Sequence, residues 1–165
     1  MFFDADRSLR QLRTQIGTMR TLSVLPEVEL YATKAFSRWT PSEHVDHTAR
    51  VALAMLKGSL RTDLPRLTPI NLLGRVILTL GRIPRGLGRA PEKYRGARVP
   101  AETLLHTLSE LDTVSATVDT AELTSRPIPC IPHPRFGGLT PEQTLRFIAI
   151  HNDHHLRIIR DILKK

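Results

Sequence analysis

The sequence contains a single cysteine, Cys130, so no internal disulfide can form. A lone thiol suits a reducing compartment, and a cytoplasmic location is the expectation. Aromatic residues are scarce, with one Trp, two Tyr and five Phe, which leaves few platforms for stacking single-stranded bases. No apolar run is long enough to span a bilayer: the longest, residues 70–83, is broken by Asn71, Arg75 and Arg82. Met1-Phe2-Phe3 meets Asp4 and Asp6 at once, without the apolar stretch of a secretory leader. Internal repeats, low-complexity tracts, helix-turn-helix or zinc-finger spacings and strand-like alternation are also missing.

What is present is an ordinary globular composition, 41% hydrophobic and 24% charged. A length of 165 residues suits one domain over residues 1–165 with a real core. The net charge of +8 is unevenly placed. Residues 57–98 hold ten Lys and Arg against Asp63 and Glu92, and the remainder is neutral. Such a segment suits an anionic ligand, a nucleic-acid phosphate or a membrane headgroup, or is merely a solvated face.

Helical spacing dominates the chain. Leu9, Leu12, Ile16 and Met19 step by three and four, marking a helix over residues 6–22. Pro26 interrupts it, and a shorter helix is expected over residues 27–38. Thr40-Pro41-Ser42-Glu43 combines an N-cap hydroxyl, a first-turn proline and a glutamate three residues on, opening a helix to about residue 60. Thr68-Pro69 opens another stretch to Leu80, whose apolar residues, Leu72, Leu73, Val76, Ile77 and Leu80, should pack on the bundle. Residues 81–100 read as a Gly-, Pro- and Arg-rich loop, and residues 101–118 as a long helix. Four prolines and two glycines exclude regular helix over residues 124–138. Thr140-Pro141-Glu142-Gln143 repeats the capped start and opens the last helix, to about residue 163. The sum is an all-α four-helix bundle with a basic excursion between the second and third main helices.

His151 and His155 lie one turn apart on the last helix, so both imidazoles leave one face. Phe147, Ile148, Ile158 and Ile162 share that face. Two unpaired imidazoles on an apolar stripe are costly, and a metal removes the cost. The plain alternative is a pair of core histidines bonded to backbone or water. The spacing is that of the helical pair in H-E-x-x-H metalloproteases, but Asn152, Asp153 and His154 intervene, without the glutamate. A third imidazole comes from His47, although periodicity alone does not separate it from His44. Three neutral imidazoles compose an open, catalytic type of metal site. His106 should be solvated, and His133 should make a local bond in its loop.

Trp39-Thr40-Pro41-Ser42-Glu43-His44-Val45-Asp46-His47, the loop His133-Pro134-Arg135-Phe136-Gly137, and the helix carrying His151 and His155 together resemble the DinB/YfiT-like superfamily of bacterial metal-binding four-helix bundles. The resemblance implies His47, His151 and His155 as metal ligands, and favours His47 over His44. It implies one divalent ion, zinc or nickel, and a low-molecular-weight thiol as co-substrate of an S-transferase-like enzyme. Arg85 and Arg89 are then candidates for the thiol's carboxylates. The alternatives are a metal-dependent hydrolase, with Glu43, Asp46 or Asp153 as base, and a non-enzymatic binder of nucleic acid or membrane surface through residues 57–98. A small-molecule substrate is expected and a specific nucleic acid is not. A homodimer stays open.

Overall fold

The computed structural model describes residues 3–86 and 90–164. Among these, four long helices form the bundle: α1 (Ala5–Ser23), α3 (Pro41–Leu60), α5 (Ala101–Ala116) and α7 (Pro141–Leu163). Three shorter helices, α2 (Glu27–Leu30), α4 (Leu72–Leu80) and α6 (Thr120–Thr124), sit between them, with a 3-10 turn at Glu92–Tyr94. α1 and α3 each pack on both α5 and α7, so the order around the bundle is α1, α5, α3, α7. The expected all-α bundle is what forms. No helix among the described residues is long and apolar enough to cross a membrane.

α3 and α7 start by the same device. Thr40 and Thr140 each accept a bond from the backbone N–H three residues on, and Glu43 and Gln143 reach back to the threonine N–H. Each box satisfies N–H groups that a helix start otherwise leaves unpaired, and proline follows where no donor is needed. These starts fix the axial position of the histidines about one to four turns downstream.

The main core joins Leu12, Ile16 and Met19 of α1 to Leu56 of α3, Leu104, Leu108 and Leu111 of α5, and Leu145, Ile148 and Ile159 of α7. A second, smaller core lies on the other side of α7. There Phe147 and Ile150 meet Ile77 and Leu78 of α4 with Ile131, Phe136 and Leu139. α7 is therefore apolar on two faces. Its inward stripe runs through Ile148, Ile159 and Ile162, while Ile158 is only part-buried.

Several expected elements differ. The helix expected over residues 27–38 ends at Leu30, because the chain turns back at Lys34–Ser37 and brings Trp39 over α3. α4 starts at Leu72, where the Asn71 side chain caps the Gly74 N–H. Residues 67–71 instead run beside a two-stranded antiparallel hairpin, β1 (Ile131–His133) and β2 (Gly137–Leu139). No strand pattern announces it, since each strand is three residues long. Gly138 permits the close approach: a Cβ there would lie 2.9 Å from the Thr68 carbonyl oxygen. The apolar residues of α4 also divide. Ile77 and Leu78 are buried, while Leu72, Leu73, Val76 and Leu80 face solvent.

Candidate metal centre

α3 and α7 bring four imidazoles together near the start of α3. His47 and His151 approach Nε2 to Nε2 at 3.1 Å, and His44 and His155 approach Nδ1 to Nδ1 at 2.8 Å. The His155 ring centroid lies 4.8 Å from that of His47 and 4.6 Å from that of His151. One nitrogen from each of His47, His151 and His155 falls within 4.8 Å of the others, a spacing that could hold a metal ion. These are the three residues expected from the sequence. Trp39 covers the cluster, its ring 4.9 Å from His47 and nearly parallel to His155.

The hydrogen bonds fix the tautomers. A carbonyl only accepts, so His47 must donate from Nδ1 to the Tyr94 carbonyl, which leaves its Nε2 unprotonated and facing His151 Nε2. Ser37 donates its hydroxyl proton to the Trp39 carbonyl at 2.8 Å, so it accepts from His44 Nε2–H at 3.0 Å. The Nδ1 of His44 then accepts from His155 Nδ1–H, and the Nε2 of His155 is also left unprotonated. Two of the three candidate ligands are thus held in the tautomer that presents a lone pair. Metal-bound histidines are oriented in the same way by partners on their other nitrogen. His151 differs: its Nδ1 is buried without a partner.

Burial holds all these rings neutral. It lowers His47, and it lowers His151 and His155 well below the usual imidazole range, helped by the neighbouring histidines. His44 falls to about 3 through burial and then the charge of His47. The bond to Tyr94 and the charge of Asp46 offset this only in part, at His47. Glu43 is bound to the Thr40 N–H and hydroxyl. Asp46 accepts from Arg50 at 2.8 Å and from the Ala97 N–H at 2.9 Å. Asp153 pairs with Arg157 at 2.8 Å. A neutral donor set with an orphaned buried nitrogen fits a divalent cation, because ligating imidazoles must be deprotonated at one nitrogen.

The end of the basic excursion is strapped to α3. Arg50 donates to the carbonyls of Lys93 and Arg95, and Val99 bonds with Ser42. At Gly96 the strap lies so close that a Cβ would run into the Glu43 carbonyl. This strap delivers the Tyr94 carbonyl to His47. Arg85 is paired with Asp161 of α7 and lies 5.7 Å from the Phe36 ring centroid. Asp161 also pairs with Lys164, so one carboxylate serves both cations. Arg89 lies outside the described residues.

His106 is exposed, as expected. His133 accepts from the Arg135 N–H and stacks on Phe136 at 3.9 Å, and Phe147 links it to His151. His154 donates to the Ile83 carbonyl at 2.9 Å. Periodicity did not reveal the roles of Ser37, His44 and Tyr94, because Ser37 acts from a loop and Tyr94 from a single 3-10 turn. The one available signal was the pair His44 and His47, one turn apart beside Trp39. A groove of about 520 Å³ between α1 and α7, lined by Gln11, Gln15, Asp153 and Arg160 among others, holds none of these histidines.

No curated protein and no solved structure matches the chain. The family model of the DinB superfamily matches residues 11–159, which include both capped helix starts and every histidine of the cluster. The chain belongs to the DinB superfamily.

Proposed function

We propose that this protein is a metal-dependent enzyme in which His47, His151 and His155 hold one divalent ion, zinc or nickel, to activate a low-molecular-weight thiol. The observation that carries the reading is the convergence of three neutral imidazoles, two with an Nε2 left unprotonated by the partner of their other nitrogen. A bound divalent ion would supply the Lewis acidity that favours thiolate, the nucleophilic form. The protein's own part is to exclude charge competition and water. Trp39 covers the rings, and Glu43, Asp46 and Asp153 are each bound elsewhere. Their engagement also favours a thiol over water, since hydrolysis wants a free general base nearby. Arg85 and Arg89 remain candidates for substrate carboxylates, with Arg85 needing release from Asp161. Residues 1–165 act as one domain in this reading.

His44 is a positioning residue here. Through its Nδ1 it sets the tautomer of His155 without being a ligand. His44→Ala should weaken metal binding about 10- to 100-fold, as loss of such partners does. His44→Asn restores an acceptor and should recover part of the loss.

The test uses cobalt(II)-loaded protein. Adding a small thiol should shift the visible spectrum, and the metal-loaded form should consume the thiol faster than background with an alkyl halide or epoxide. An unchanged cobalt spectrum over a range of small thiols would rule out the thiol reading.

A further inference from the structure

We propose that the outward face of α4 is a docking surface for an anionic lipid membrane. α4 is nine residues long, and its apolar residues point two ways. Ile77 and Leu78 enter the smaller core, whereas Leu72 is 77% exposed, Leu80 72%, Val76 44% and Leu73 37%. At about 100° per residue these four fall within an arc of about 100°, so they form one continuous strip. They account for half of the large hydrophobic side chains exposed among the described residues.

The strip cannot turn inward. A Cβ at Gly74 would come within 2.9 Å of Phe136 Cβ and closer still to Ile70, so the helix is already in tight contact with its support. The positive φ of Gly81 ends the helix, and Asn71 caps its start.

The segment that carries the strip is cationic. Residues 64–91 contain five arginines and no acidic residue. Of these, Arg85 is paired with Asp161. Arg66, Arg75 and Arg82 have no carboxylate partner among the described residues. An apolar strip flanked by arginines matches the boundary between anionic headgroups and acyl chains, where leucines enter the hydrocarbon and guanidinium groups stay at the phosphates. A second copy of the chain would bring the same unpaired charges face to face, which is repulsive.

The test is co-sedimentation of the full chain with vesicles of phosphatidylcholine, alone or mixed with phosphatidylglycerol. Binding is expected to the mixed vesicles and to be far weaker with phosphatidylcholine alone. The double variant Leu72→Ser/Leu80→Ser should bind the mixed vesicles at least about tenfold more weakly, since two leucine side chains no longer enter the lipid. Arg75→Ala should cost about fivefold. Both substitutions are at exposed positions, and unchanged melting curves and metal content would show that fold and site are intact. Equal binding to both vesicle types, or wild-type binding by the leucine variant, overturns the proposal. So does a wild-type dimer in light scattering that the leucine variant dissociates, which would give this face to a second copy.

Discussion

The two halves of the bundle are built for different ends. The α1–α5 half is built mainly on apolar side chains: Leu12, Ile16, Met19, Leu104, Leu108 and Leu111 are essentially inaccessible, and its buried polar residues, Ser8, Gln15, Ser23 and Ser115, are all uncharged and none is an imidazole. The α3–α7 half buries His44, Asp46, His47, Asn152 and His155. Asn152 has neither side-chain atom satisfied. Buried polar groups cost stability unless they are paired, so this seam is the expensive part of the fold. The apolar half supplies the burial that lets the seam exist. If so, the halves can be damaged separately.

The largest separable effect is expected from α5. Leu108→Ala should lower stability by about 2–5 kcal/mol, the range for a leucine truncated in a tight core. Urea unfolding measures it. Metal content per folded chain should stay at the wild-type level, and a parallel loss would mean that the halves are not independent. On the other side, Gly96→Ala should cost about 1–3 kcal/mol, because the added methyl pushes the strap off the Glu43 carbonyl. Here metal affinity should fall too, because the strap carries the Tyr94 carbonyl that orients His47.

A smaller effect concerns pH. Burial, followed by the charge of Arg135, lowers His133 to about 4. Its folded value lies below the unfolded one, so the unfolded chain binds the extra proton first. The stabilisation is present above about pH 6.5 and is lost as pH falls toward 4. His133→Phe, which keeps a ring against Phe136, should flatten the stability slope in that window by up to about 1.4 kcal/mol per pH unit. An unchanged slope would show that His133 does not contribute to it. The smallest effects are at the caps. Thr40→Ala and Thr140→Ala should each cost about 1 kcal/mol in thermal or urea unfolding. Thr40→Ala alone should also disturb Glu43, whose carboxylate bonds the Thr40 hydroxyl.

The bundle was legible because long amphipathic helices write their period into the sequence, and because Thr40 and Thr140 announce two starts to the residue. The pairing of His151 and His155 followed from the same spacing, whereas the choice of His47 over His44 came from the family resemblance alone. Other features left no local trace. The hairpin is too short to alternate, and its glycines are needed by residues 67–69, far away in sequence. The relay from Ser37 through His44 to His155 joins three segments, so no window of sequence contains it. Leu72 and Leu80 were expected to pack inward, because periodicity gives a stripe without saying which side of a short helix has a neighbour.

The most direct test of the central claim is elemental analysis of the purified protein. Wild type should carry about one divalent ion per chain, as a three-histidine site would. The double variant His151→Ala/His155→Ala, shown to be helical by circular dichroism, should carry almost none. A full complement of metal in that folded variant would contradict the account.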